Sequence, residues 1–208
     1  MNIVKAMTDN NLFGAQFGGD SWANWRVLLG GFYGLETDAH TFKTLTHREP
    51  PLTPLDELWL VVGRRGGKSQ IAALLAVYEA IFNDHSEHLA AGEVATIAVV
   101  AADRKQARTI MRYINGLLDN PMLKKLVIRE ATESIELTNR CAIEVFTASH
   151  RTTRGYTLAC AICDEIAFWH SDGANPDKEI LNALRPSLAS LNGKVVALSS
   201  PYARRGVL

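Results

Sequence analysis

The string Val62-Gly-Arg-Arg-Gly-Gly-Lys-Ser69 combines open backbone with one ammonium and one hydroxyl. Such a set suits a phosphate. Gly66 and Gly67 let peptide N–H groups approach phosphate oxygens, Lys68 supplies a point charge, and a helix starting here turns its positive end toward the anion. Ser69 offers a hydroxyl oxygen to Mg2+ carried with the phosphates. The string departs from the pattern G-x-x-x-x-G-K-[ST], because Val62 stands at the first glycine position and Gly63 comes one residue late. A glycine turn followed by a helix cap would explain the same residues without a ligand.

A second set lies far along the chain, where Leu158-Ala-Cys-Ala-Ile-Cys163 runs straight into Asp164-Glu165. Adjacent carboxylates at the end of a buried strand are costly unless a positive partner faces them. A magnesium nucleotide is such a partner: Asp164 would hold the metal, usually through water, while Glu165 orients and deprotonates the attacking water. The bland alternative is a strand that merely ends at the surface. Both sets in their expected contexts, and in this order, point to a nucleoside triphosphatase.

The surrounding sequence supplies elements to carry them. Residues 58–62 form an apolar run too short for a helix, and residues 69–82 are apolar nearly all round, so strand, glycine turn and buried helix follow one another. Residues 94–101 predict a strand, and a helix follows from Asp103 to about Leu118, stopped by Asn120-Pro121. Residues 134–137 and 141–146 alternate around Thr138-Asn-Arg140, the pattern of an antiparallel hairpin near 133–147. A strand over 158–163, a helix from Pro176 to about Leu191 stopped by Gly193, and a strand over 195–198 complete the series. This alternation predicts an α/β fold, a mostly parallel sheet flanked by helices, with ligands at the carboxyl ends of its strands. Before Glu49-Pro-Pro-Leu-Thr-Pro54, a semi-rigid connection, lies an aromatic, glycine-rich segment in which Ser21 would start a short helix through Trp22 and Trp25.

Composition narrows the class. With 208 residues, 47% of them apolar, 15 Gly, 7 Pro and 3 Cys, the chain is neither collagen-like, disordered nor disulfide-stapled, and is long enough for one domain with a sizeable core. An odd cysteine count without a signal peptide points to a reducing compartment, and no apolar run reaches the roughly 20 residues that span a bilayer. The 22 basic and 22 acidic side chains balance, so any nucleic acid must be held locally. Arg104, Lys105, Arg108 and Arg112 offer such a stripe, or a merely solvated face. Cys160 and Cys163 have metal-ligand spacing but no second half, and fit the core better than zinc. His85 and His88 sit in a polar stretch without partners.

The chain resembles the ATPase (motor) domain of the large terminase subunit of tailed bacteriophages. The resemblance rests on Phe17-Gly-Gly-Asp-Ser-Trp22, on Glu57 through Ser69, on Ala101-Ala-Asp-Arg-Lys-Gln-Ala107, Thr153-Arg-Gly155, Cys163-Asp-Glu165 and Leu198-Ser-Ser-Pro-Tyr202. Terminases of this kind carry arginines inside the phosphate loop, as Arg64 and Arg65 do here. The resemblance implies a RecA-like, additional-strand P-loop ATPase over residues 1–208, with an adenine-side segment 1–56 and a core 57–208. It implies ATP and Mg2+ as cofactors, bound by the loop from Gly63 through Gln70, by Asp164, and by Ser199 and Ser200, a coupling motif linking hydrolysis to movement. The segment 17–25, Trp22 included, becomes the candidate for the base, although Trp22 and Trp25 also suit a core. Glu165 becomes the catalytic base, and Arg154 a finger entering the neighbouring subunit's site, with Arg151 as substitute and Arg64 or Arg65 acting within one subunit.

Double-stranded DNA, a portal protein, a small terminase subunit and a homo-oligomeric ring are the implied partners, without a membrane, in the host cell cytoplasm. The family usually continues into an RNase H type nuclease domain. This sequence stops at Leu208 without acidic residues for it, so an isolated motor domain is expected. Two other readings stay open: a helicase- or recombinase-like P-loop ATPase, and a nucleotide-sensing assembly module without turnover, which would not need Glu165.

Overall fold

Pro50, Pro51 and Pro54 cannot extend a helix or sit in a central strand. Just beyond them the chain parts into two compact units, Met1–Asp56 and Glu57–Leu208. The structure, a computed structural model, describes residues 1–148, 155–169, 176–202 and 207.

The first unit is helical: α1 (Ile3–Thr8), α2 (Gly14–Phe17), α3 (Ala23–Phe32) and α4 (Ala39–Thr46). Ile3, Met7, Phe13, Phe17, Leu29 and Phe32 are its most buried large side chains. Asn2 and Asp38 start α1 and α4 by accepting the N–H groups of Lys5 (2.8 Å) and Thr41 (2.7 Å). The helix expected from Ser21 starts at Ala23, after a 3-10 turn over Asp20–Trp22. Arg26 donates to the carbonyls of Phe17 (2.7 Å) and Gly19 (2.9 Å), bracing the bend that carries Trp22. The Trp22 ring meets Phe17 edge-on, centroids 4.8 Å apart.

The second unit runs β1 (Glu57–Val61), α5 (Lys68–Phe82), β2 (Ala95–Ala101), α6 (Arg104–Leu118), β3 (Val127–Glu130), β4 (Ser134–Leu137), β5 (Cys141–Thr147), β6 (Thr157–Asp164), α7 (Pro176–Leu188) and β7 (Lys194–Ser199). These strands form a single seven-stranded sheet in the order β1-β7-β6-β2-β5-β4-β3. From β1 to β5 the neighbours are parallel; β4 and β3 close the sheet antiparallel. β2 is wholly buried and β6 nearly so, which is why both read as unbroken apolar runs. Ala98, Val100, Ala161, Cys163, Val195 and Ala197 share a core with Ile180, Leu181 and Leu184 of α7. Their alternating neighbours Ile97, Val99, Ile162 and Val196 point to the other face. α5 packs there, buried from Ile71 to Ala80.

The hairpin stands where its alternation places it, turning through Arg140 at φ 61°. β3 extends it by a strand the sequence does not announce. Its exposed Arg129 and Glu130 blunt the sheet edge. The expected helix over 176–191 ends at Leu188, followed by a 3-10 turn and Asn192 in the left-handed region (φ 48°). Gly193 has another job: a Cβ there would lie 2.7 Å from the Leu158 carbonyl oxygen. Cys160 and Cys163, three residues apart on one strand, point to opposite faces and cannot converge on a metal. Both are fully buried, and burial pushes the Cys163 thiol up to about 12.

Candidate nucleotide site

The parallel strands β1, β7 and β6 end level with one another, Val61 beside Ser199 and Leu198 beside Asp164. The segments leaving them therefore meet: the glycine loop after β1, the acidic pair at the end of β6 and the serine pair at the end of β7.

Two residues of the loop take left-handed backbone, Arg65 (φ 62°) and Gly67 (φ 82°). For an arginine that conformation costs roughly 1–3 kcal/mol, the kind of strain kept at functional sites. A Cβ on Gly66 would fall 2.5 Å from Cγ1 of Val62. Gly66 thus makes room for the branched residue at the first glycine position, whereas Gly63 has open space around it. α5 begins at Lys68 with no side chain capping it, while Asp38 and Asp103 cap α4 and α6. Of its first-turn N–H groups, that of Gln70 reaches the Gly67 carbonyl at 3.0 Å; those of Lys68 and Ser69 precede any helical acceptor, which leaves them to an anion.

Lys68, 7% exposed, gathers the site. Its Nζ donates to the carbonyls of Val62 (3.2 Å) and Gly63 (3.3 Å) and to Ser200 Oγ (2.9 Å), and lies 3.4 Å from Glu165 Oε1. Glu165, also in left-handed backbone (φ 52°), accepts from Ser200 N–H at 2.8 Å and from Ser200 Oγ at 3.0 Å. Ser199 Oγ reaches Oε2, the oxygen that accepts the Ser200 N–H, more loosely, at 3.4 Å.

Asp164 is fully buried. Its Oδ2 accepts from Ser69 Oγ (3.2 Å) and from Gln106 Nε2 (2.8 Å), which also donates to Ser69 Oγ (3.2 Å). Its Oδ1 is buried without a hydrogen-bond partner. Burial raises the Asp164 carboxyl above the ordinary range; the Gln106 hydrogen bond opposes this, the Glu165 charge adds to it, and Ser69 and Lys68 oppose it. An orphaned carboxylate oxygen beside a serine hydroxyl suits Mg2+, which takes oxygen ligands and keeps waters and phosphates in its shell. Among the described residues no group of three or more His, Cys, Asp or Glu is arranged to hold a metal.

Arg64, Arg65, Gly66, Gly67, Lys68, Ser69, Gln70, Glu165 and Ser200 line one cavity of ≈ 350 Å³. Tyr113 of α6 lines it too. Asp164 and Ser199 bond to the lining residues Ser69 and Glu165. Trp22 belongs to the first unit. Arg151 and Arg154 lie outside the described residues. Sequence reasoning did not single out Gln106 or Tyr113. The available signal was their separation of two helical turns, which puts both on one face of α6.

The profile of the family described as "Terminase large subunit, ATPase domain" matches residues 44–197. The chain belongs to that family. The crystal structure of the HK97 bacteriophage large terminase is similar, with a TM-score of 0.60 and 17% identity, covering 84% of this chain and 32% of that one. The Thermus phage P74-26 large terminase ATPase domain is similar with a TM-score of 0.57 and 17% identity, covering 79% of this chain and 70% of that one. The chain thus spans about a third of the HK97 protein. At such identity the likeness carries the fold, which is RecA-like, with β7 as the strand added between β1 and β6. No curated protein sequence matches the chain.

Proposed function

We infer that this terminase ATPase domain hydrolyses ATP and uses the hydrolysis to move viral double-stranded DNA into a procapsid. The observation that carries the chemistry is Lys68 and Glu165 at 3.4 Å, joined through the Ser200 hydroxyl. A phosphate-binding ammonium and a carboxylate base belong on either side of a γ-phosphate. As ATP enters, the N–H groups at the start of α5 take phosphate oxygens, and Lys68 exchanges its carbonyl and serine partners for them. Arg64 and Arg65, on the cavity wall, add positive charge within the same subunit. Glu165 accepts the proton of the attacking water. Ser200 touches both groups, so loss of the γ-phosphate changes its partners, which suits the coupling role of Ser199 and Ser200. Ser69 and Asp164 would hold Mg2+, which when bound offsets charge on the β- and γ-phosphates.

The remaining roles rest on the family resemblance. Trp22 serves the adenine side and Arg154 reaches a neighbouring subunit in a homo-oligomeric ring, beside a portal protein and a small terminase subunit in the host cytoplasm. No helix among the described residues is long and apolar enough to cross a membrane. On α6, Arg104, Lys105, Arg108 and Arg112 are all exposed, while Ala107, Ile110, Met111 and Ile114 are buried, so the basic stripe is free to meet DNA phosphates.

The test is phosphate release from ATP, with and without duplex DNA and with and without portal assembly. Turnover stimulated by DNA and lost in Glu165→Gln supports the reading. ATP binding without turnover under every condition favours the sensing module, and strand separation of a duplex favours the helicase-like alternative.

A further inference from the structure

We propose that Gln106 is a positioning residue of the nucleotide site, bracing Ser69 and Asp164 so that the second Asp164 oxygen is kept for a divalent cation. The proposal rests on the magnesium-nucleotide reading above and deepens it. One amide nitrogen carries two donors, and Nε2 of Gln106 spends one on Asp164 Oδ2 (2.8 Å) and one on Ser69 Oγ (3.2 Å). The Ser69 hydroxyl donates to the same Oδ2 at 3.2 Å. The three groups form a closed triangle, and its sense is fixed: turning the amide over would set Oε1 against a carboxylate oxygen, acceptor against acceptor.

Oδ2 accepts twice and Oδ1 not at all, although both belong to a side chain with no exposure. Leaving a charged oxygen buried and unpaired is costly, and the same carboxylate could share its donors by rotating. The triangle prevents that rotation.

The sequence around Gln106 points the same way. Asp103 caps α6 by accepting the Gln106 N–H at 2.9 Å, so Gln106 is the third residue of the helix. In a capping box, Gln at this position bonds back to the N–H of the cap residue. Here the amide is turned into the site instead. The cap fixes where the side chain starts, and the triangle fixes where it ends. Neither Asn, one methylene shorter, nor Glu, which has no donor when ionised, reproduces both bonds.

Partners of ligating groups typically set metal affinity by 10- to 100-fold. Mn2+ is the probe, titrated by its electron paramagnetic resonance signal into the full chain with ADP present. In Gln106→Met, which keeps length and loses both donors, Mn2+ affinity should fall about 10- to 100-fold. ADP affinity in EDTA should match the parent, and the melting temperature should fall by no more than a few degrees. Gln106→Ala should show the same split, so the result does not depend on how one side chain packs. Unchanged Mn2+ affinity overturns the proposal, and so does tighter binding, which would make Gln106 a competitor of the cation. An equal loss of metal-free ADP affinity also overturns it, assigning Gln106 to the folding of the loop. If the parent chain itself binds neither ADP nor Mn2+, the nucleotide reading fails first and this proposal with it.

Discussion

Two hollows lie at the two ends of α5, and the larger is the less suited to a ligand. Ile81, Phe82, Asn83, Asp84, Ser86, Thr138, Asn139 and Arg140 line a cavity of ≈ 490 Å³ where α5 ends. Its Arg140, Asn139 and Asp84 side chains are already committed. Arg140 donates to the carbonyls of Ala90 and Glu93, Asn139 Nδ2 to the Ala80 carbonyl at 2.7 Å, and Asp84 accepts the Ser86 N–H at 2.9 Å. These bonds close the carbonyl end of the helix and tie down a turn. At the other end the cavity is ≈ 350 Å³, yet there α5 starts uncapped and Lys68 rests on partners a phosphate can replace. On the proposed reading, a ligand is chosen by donors it can take over, not by volume.

The sharpest way to break this contrast is to remove the central charge. Lys68→Ala should abolish nucleotide binding and turnover, seen by calorimetric titration and phosphate release; unchanged turnover would falsify the assignment of the smaller cavity. Next comes Glu165→Gln, which keeps shape and should leave ATP binding in place while hydrolysis drops about 10²–10⁴-fold. Parent-level hydrolysis in that variant would put the base elsewhere.

Ser200→Ala sharpens the comparison within the site. Its hydroxyl bonds two charged groups, each bond worth about 1.5–3 kcal/mol, so turnover should fall roughly ten- to a hundredfold, with ATP affinity far less affected. Equal losses of binding and turnover would mean that the serine builds the site without coupling it. The smallest effect is expected at the other hollow. Arg140→Ala removes a tie of the turn to the 90–93 segment and should cost about 1 kcal/mol in urea unfolding while leaving turnover unchanged. A loss of turnover there would show that the two ends of α5 communicate.

The elements carrying the site were the readable ones. β1 with its loop, and β6 with Asp164-Glu165, are contiguous strings whose strand context is apolar throughout, and α6 declares itself through Ala107, Ile110, Met111 and Ile114 at helical spacing. α1 and α4, of 6 and 8 residues, are too short to show a period. β3 buries almost nothing, so burial leaves no pattern in it. Gln106 hid behind a sound local explanation, since Asp103-Arg-Lys-Gln106 reads as a helix start whether or not its amide is used elsewhere.

By itself the sequence determined what depends on neighbours along the chain: a loop able to take an anion, a helix to present it, an acidic pair at a strand end and an amphipathic basic helix. These follow from backbone freedom, periodicity and charge, which act over a few residues. Only the tertiary structure decided which of them meet. Placing β7 between β1 and β6 inserts Ser200 between Lys68 and Glu165, and packing α6 on α5 carries Gln106 to Ser69 and Asp164. Strand order and helix packing are set by the burial of whole faces, so no local spacing records the hydrogen bonds they create.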